Sequence, residues 1–260
     1  MTANIDPSRH RGVLFDMDGV LTDTATVHLR AWKRLFDEYL LQRPPGAGEN
    51  HGSLSAEDYR QYLDGKPRAD GVADFLHSRG ITLPAGHPDD PSDRDTVHGL
   101  GARKDRFFLD SLTDQGVRVF EGVHALLVNL RRHRLATAVV SASRHCADVL
   151  ERAHLVALFD ARVDGAVAQQ LGLSGKPDPA TLLEAARRLG LPPSRLAVID
   201  DARAGVIAAR AGGFALVVGI DSSGASQQLL HAGAHAVVTG VGAITVRPTG
   251  ARASPDTGHP

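Results

Sequence analysis

A single cysteine, Cys146, in 260 residues rules out an internal disulfide and points to a reducing compartment. An excess of one charge is also missing. With 29 Lys and Arg against 30 Asp and Glu, no global basic field recruits nucleic acid or an anionic membrane. No stretch approaches the roughly 20 apolar residues of a membrane span. Met1 to Gly12 is polar and lacks the apolar core of a secretion signal. Internal repeats are absent too. These absences predict a soluble cytoplasmic protein with neither nucleic acid nor membrane as partner, long enough for one large domain or two modest ones.

What is present divides the chain by pattern. Val13, Leu14 and Phe15 form a short apolar run that reads as a buried strand. Between Thr24 and about Val117 only helical spacing is found: Leu29, Trp32, Leu35, Phe36, Tyr39 and Leu40, then Val72, Phe75 and Leu76, then a segment from about Thr96 to Leu112. Pro44 to Ser55 and Pro84 to Asp95 are polar, Pro/Gly-rich surface loops. From Phe120 the elements alternate. Strands are predicted at Ala136 to Val140, Leu196 to Ile199, Ala215 to Val218 and Ala236 to Val238, with helices between them. Such alternation implies a parallel sheet with right-handed crossovers, and the helical block is then an insertion after the first strand. Pro248 to Pro260, rich in Pro, Gly, Ser and Thr, predicts a mobile tail.

The first strand ends in Asp16-x-Asp18-Gly19. Carboxylates at i and i+2 where a strand meets a glycine turn point the same way, past the strand end, where open α/β sheets bind ligands. Crowded acids need a cation or a proton; Mg²⁺ with a phosphate ligand fits, and a free Asp can then attack phosphorus. Asp93-Arg94-Asp95 has the same spacing but no strand before it, so it reads as solvated loop.

Three more groups sit at later strand ends. Ser141-Ala142-Ser143 offers a hydroxyl and free N–H groups to an anion, although an ordinary helix cap has the same pattern. Lys176, in Gly-Lys-Pro-Asp-Pro, reads equally as a phosphate-neutralising charge or a solvated loop lysine. A buried strand then runs straight into Asp200-Asp201 and a helix of small residues. There one acid could complete a metal site and the other hold the loop.

In this order, split after the first by a helical insertion, the four motifs resemble the haloacid-dehalogenase superfamily of aspartyl-phosphate enzymes, in its helical-cap subclass. The likeness spans Arg11 to Thr239. Asp16-Met-Asp18-Gly-Val-Leu-Thr22-Asp-Thr-Ala-x-x-His28-x-Arg-Ala-Trp32 is most similar to the β-phosphoglucomutase branch, and Ser141-Ala-Ser143 and Lys176-Pro agree with it. The related dehalogenases lack the second Asp of the first motif.

The resemblance implies an α/β fold, a Rossmann-like three-layer parallel-sheet core over 11–24 and 118–246, a helical cap over 25–117 and a tail over 247–260. It implies Asp16 as nucleophile and Asp18 as general acid/base. Mg²⁺ is expected on Asp16, the Asp18 carbonyl and Asp201, with Asp200 nearby. Ser141, the Ala142 amide, Ser143 and Lys176 are expected to grip the phosphoryl group, and His28, Trp32, Arg68 and Lys104 to face the sugar phosphate. The implied protein is a monomer acting on a phosphorylated sugar or another phosphate ester. The activity expected is interconversion of β-D-glucose 1-phosphate and glucose 6-phosphate, with simple phosphate-ester hydrolysis as the alternative. A phosphate-responsive receiver module fits less well, since a receiver has no insertion after its first strand and no use for Asp18.

Two departures bear on specificity. Motif four is Asp200-Asp201 where the family usually has Glu-Asp. The cap loop is Asp64-Gly65-Lys66-Pro67-Arg68 where mutases usually have basic-Gly-x-Ser-Arg. Cys146, at a helix start, reads as a structural small residue, and the His231/His235 pair, with no acid beside it, as surface.

Overall fold

The computed structural model describes residues 2–221, 224 and 226–248. Six strands form one wholly parallel sheet: β2 (Gly12–Phe15), β3 (Ala136–Val140), β4 (Ala161–Val163), β5 (Leu196–Asp200), β6 (Leu216–Ile220) and β7 (Ala236–Val238), in the order β4-β3-β2-β5-β6-β7. The central three are covered on both faces, which is why they are continuous apolar runs. Period-2 alternation divides their side chains between two cores. Phe15, Val139 and Ile199 face one, with Leu126, Leu127 and Leu130 of α5 (Val123–Arg132) and Val149 of α6 (Cys146–Arg152). Leu14, Val140 and Val198 face the other, with Leu182 of α8 (Ala180–Leu189) and Val206 of α9 (Arg203–Ala211). The result is the three-layer α/β/α core.

Four helical segments lie between β2 and α5: α1 (Ala25–Gln42), α2 (Ala56–Asp58) continuing into a π turn at Tyr59–Leu63, α3 (Arg68–Ser78) and α4 (Val97–Gln115). Their apolar faces close on one another through Trp32, Phe36, Phe75 and Phe108, and this cluster is continuous with the first core. Residues 44–55 and 84–95 are largely irregular surface chain, the latter containing the Asp93-x-Asp95 decoy.

Elements not foreseen are short: β1 (Ala3–Ile5), which pairs in parallel with β8 (Ile244–Val246), together with β4, α2 and its π turn, α7 (Gly165–Leu171) and α10 (Ser226–Ala232). Three-residue strands carry too few side chains to display a period. The tail expected beyond Arg247 lies, from residue 249 onward, outside the described residues.

Candidate active site

Parallel strands deliver their C-terminal ends to one edge, so Asp16 after β2, Ser141 after β3 and Asp200-Asp201 at the end of β5 converge without long-range design in any single segment. Lys176, in the loop before α8, reaches into the middle. Its Nζ donates to Asp16 Oδ1 and Asp200 Oδ2 at 2.6 Å each and lies 3.4 Å from the Val140 carbonyl. At 3 % exposure it is no solvated loop lysine. Burial, helped by Asp200 and Asp18, pushes the Asp16 carboxyl up to about 8 against the pull of Lys176. Asp200 is also fixed by the Ala202 N–H at 3.0 Å, and a Cβ on Gly205 would overlap its carboxylate. That close approach explains a glycine in the first turn of α9.

Asp18 sits in a turn closed by the Leu21 and Thr22 amides on the Met17 carbonyl, at 2.9 and 3.0 Å. Gly19 must be glycine: its φ is 83°, and a Cβ there would meet the Asp201 carboxylate. The Asp18 carboxylate accepts from the Thr24 hydroxyl and, at 3.3 Å, from Ser141 Oγ. His28 Nε2 stands 3.5 Å away. Burial alone would raise Asp18, but His28, Thr24 and Lys104 outweigh it and hold the carboxyl below its ordinary value. Lys104 Nζ lies 2.5 Å from His28 Nδ1, and the His28 ring stacks on Phe108 at 4.1 Å. Burial, then Arg68, lowers Lys104 to about 7. With Lys104 donating to Nδ1, the His28 proton sits on Nε2, facing Asp18.

The cap loop presses on the core from above. A Cβ on Gly65 would lie 2.9 Å from that of Ala202, and Gly175 packs against Pro67. Beneath the loop remains a cavity of about 70 Å³ lined by Asp16, Asp18, His28, Trp32, Arg68 and Lys104 among others. That is well below the roughly 300 Å³ from which small-molecule sites start. A cleft of about 1030 Å³ adjoins it on the outer side. Arg68 is ion-paired to Asp105, whose carboxylate also lies 3.5 Å from His145 Nε2.

All the candidate residues gather here. Asp16, Asp18, Asp201, Ala142, Ser143, His28, Trp32, Arg68 and Lys104 line the inner cavity, with Ser141, Lys176 and Asp200 bonded to its wall. Trp32 does double duty: it is 5 % exposed, stacked on Phe36, and lies 5.2 Å beneath the Lys104 ammonium. Sequence reasoning gave no role to Thr24, Tyr59, Asp105, Arg144 or His145. Nothing local distinguishes them, although Arg144 and His145 directly follow the Ser141 motif. Cys146 is buried, with its thiol pushed well up by burial and Asp18, as befits a structural residue. His235 accepts from the Val217 amide at 2.9 Å and meets Arg210, away from this site.

A divalent cation fits the donor set. Asp16, Asp200 and Asp201 crowd around the charge of Lys176, with Asp18 beside them. The Asp201 carboxyl is driven well up by burial, Asp64, Asp16 and Asp200, a load that a dication would relieve. Among the described residues no three acidic, His or Cys side chains form a ready-made cage. Mg²⁺ does not need one, since one or two carboxylates suffice beside water and phosphate oxygens.

Comparison with known proteins places this geometry. A family model for haloacid dehalogenase-like hydrolases matches residues 10–213. Over 237 residues the chain is 46% identical to the β-phosphoglucomutase of Mycobacterium bovis, covering 90% of both chains. It is 29% identical to a phosphorylated carbohydrates phosphatase of Thermotoga maritima, over 87% of this chain and 93% of the relative. Among solved structures, β-phosphoglucomutase from Clostridium difficile superposes with a TM-score of 0.70 at 20% identity, covering 90% of this chain and 92% of its own, which shows the shared fold.

Proposed function

The chain belongs to the haloacid dehalogenase-like hydrolase family, and we propose that it is a β-phosphoglucomutase working through a phosphorylated Asp16. The observation that carries this reading is the division of labour between the two acids. Asp16 is held by Lys176 at 2.6 Å, whereas Asp18 is held by Thr24 and Ser141 and faced by His28 of the cap. One carboxylate is thereby aimed at phosphorus, the other at the oxygen that leaves or attacks. Phosphorylated Asp16 passes its phosphoryl group to the free hydroxyl of the sugar monophosphate as Asp18 takes that hydroxyl's proton, giving a sugar bisphosphate. Asp16 Oδ then attacks the phosphoryl group at the other end while Asp18 returns the proton to the departing sugar oxygen, which releases the isomerised monophosphate and restores the phosphoenzyme. Ser141, the Ala142 amide and Lys176 neutralise the equatorial oxygens. Asp16, Asp201 and the Asp18 carbonyl would hold Mg²⁺, which when bound neutralises carboxylate and phosphate charge during transfer.

The 46% identity to a β-phosphoglucomutase, over 90% of both chains, supports mutase over phosphatase chemistry. No described helix is long and apolar enough to cross a membrane. The test is incubation with Mg²⁺ and β-D-glucose 1-phosphate, primed with glucose 1,6-bisphosphate. Glucose 6-phosphate should far exceed free phosphate; rapid phosphate release without isomerisation would sink the mutase reading.

A further inference from the structure

Asp105 makes two contacts that phosphoryl transfer itself does not use. It lies on α4, and its carboxylate is the ion-pair partner of Arg68, the residue that opens α3. The same Oδ2 stands 3.5 Å from Nε2 of His145, a core residue that follows the Ser141 motif. Asp105 thus meets one basic side chain of the cap and one of the core. The pairing is built into α4. Gly101 lies one turn before Asp105 on the same face, and a Cβ there would come 2.9 Å from Arg68 Nε. The bare backbone at Gly101 lets the arginine lie across the helix and reach the acid. His145 is steadied by stacking on Phe108, with ring centres 5.7 Å apart, and its buried Nε2 makes no hydrogen bond among the described residues.

Around this acid the charge is positive. Burial and Arg144 lower Arg68 to about 10, and burial, Lys104, Arg68 and Arg144 lower His145 against the pull of Asp148. Asp148 is 63 % exposed and stands 3.9 Å from the far nitrogen of His145. Arg68, Asp105 and Arg144 line the inner cavity beside Asp16 and Asp18, so a phosphate on Arg68 shares it with Asp105. Two anions then contend for one guanidinium. One Asp16 serves both ends of the sugar, so the bisphosphate must present each end in turn, and its second phosphate must leave Arg68 in between. A clamp that is too tight lowers KM without raising turnover. Resting on the reading of the site as a sugar-phosphate phosphotransferase, we propose that Asp105 is a positioning residue and built-in competitor for Arg68, weakening its hold on the non-reacting phosphate so that the bisphosphate can turn round.

The experiment measures kcat and KM for β-D-glucose 1-phosphate and for the glucose 1,6-bisphosphate primer. It compares the parent with Asp105→Asn, Asp105→Ser, Asp105→Glu, Arg68→Ala and Arg68→Ala/Asp105→Asn. Phosphoenzyme formation from acetyl phosphate, a sugar-free donor, is followed alongside. Asp105→Asn and Asp105→Ser each remove the charge, so either one that folds carries the test. Both KM values should fall by roughly 5- to 20-fold once the charge-assisted contact of Arg68 with phosphate is uncontested. kcat should fall with them by a similar factor, because the bisphosphate leaves more slowly. Asp105→Glu keeps the charge and should stay within about 3-fold of the parent. In the Arg68→Ala background, Asp105→Asn should change either KM by less than about 2-fold, since the competition acts through Arg68. A merely structural role for Asp105 would raise KM instead. A KM that rises or stays unchanged in the charge-removing variants, or an equal shift without Arg68, overturns the proposal. A parent that takes no phosphoryl group from acetyl phosphate overturns the reading of the site itself, and this inference with it.

Discussion

Lys176→Met tests the centre of the site by removing a charge while keeping the chain length. In the parent, one ammonium, 3 % exposed, lies 2.6 Å from both Asp16 and Asp200. Taking it away leaves two buried carboxylates facing each other, and breaking such a pair costs about 3–5 kcal/mol. For a domain of this size each kcal/mol lowers Tm by about 2–4 °C, so a fall of about 6–20 °C is expected in chelator. The deficit should widen as pH rises past about 8, where parent Asp16 ionises against Lys176 while the variant must keep its proton. The sign follows from linkage: a carboxyl raised in the folded state contributes stability below its unfolded value and loses it as pH climbs through the folded one. Asp16→Asn added to Lys176→Met removes one of the repelling acids and should recover part of the loss, giving a favourable coupling of a few kcal/mol in the double-mutant cycle. Turnover of Lys176→Met should drop by about 10²–10³ for loss of a phosphoryl-oxygen partner. Thermal unfolding of the four proteins at pH 6 and 9 decides the matter. A variant melting within about 2 °C of the parent, with no recovery in the double variant, refutes the buried ion pair.

Asp201→Ala should raise the Mg²⁺ concentration needed for half-maximal turnover more than Asp200→Ala does; identical titrations would show the ligand assignment to be wrong. Arg68→Ala and His28→Ala should spare phosphoenzyme formation yet raise the share of phosphate lost to water, read as the ratio of sugar 6-phosphate to free phosphate, because both residues serve the closed cap. Lys104→Met should be more stable than the parent. Burial depresses Lys104 to about 7 from 10.5, so its penalty is absent above pH 10.5 and grows to at most about 4 kcal/mol as pH falls to 7. Melts at pH 7 and 10.5 check this, and a variant less stable at pH 7 refutes it. Gly65→Ala, strained at φ 69° and pushed into Ala202, should hold the cap off its seat and increase hydrolysis at the expense of isomerisation.

Local signals and spatial outcomes divide cleanly along this chain. Val13 to Phe15, Ala136 to Val140 and Leu196 to Ile199 were legible as strands because a strand buried on both faces needs an unbroken apolar run, which sequence displays directly. The acids after two of these strands were legible as site residues for a related reason: in a parallel sheet, position at a strand's end fixes position in space. So the meeting of Asp16, Asp18, Asp200 and Asp201 at one sheet edge followed from order, whereas Ser141 read equally as an ordinary helix cap. Lys176 did not follow; in sequence a solvated loop lysine and a buried counter-ion look alike, and only the folded loop puts its ammonium between two carboxylates. The same holds for Arg68, whose charge was visible but whose hold by Asp105, 37 residues on, was not. Asp64 was visible only as a departure from a motif; its place at the boundary of two cavities depends on how far the cap descends. Sequence by itself determined the longer elements, their order and the chemistry of the strand ends, since those rest on periodicity and strand-end placement. Tertiary structure decided which charges meet and what volume the closed cap leaves, because Coulomb energy and packing depend on distances between segments that no local pattern records.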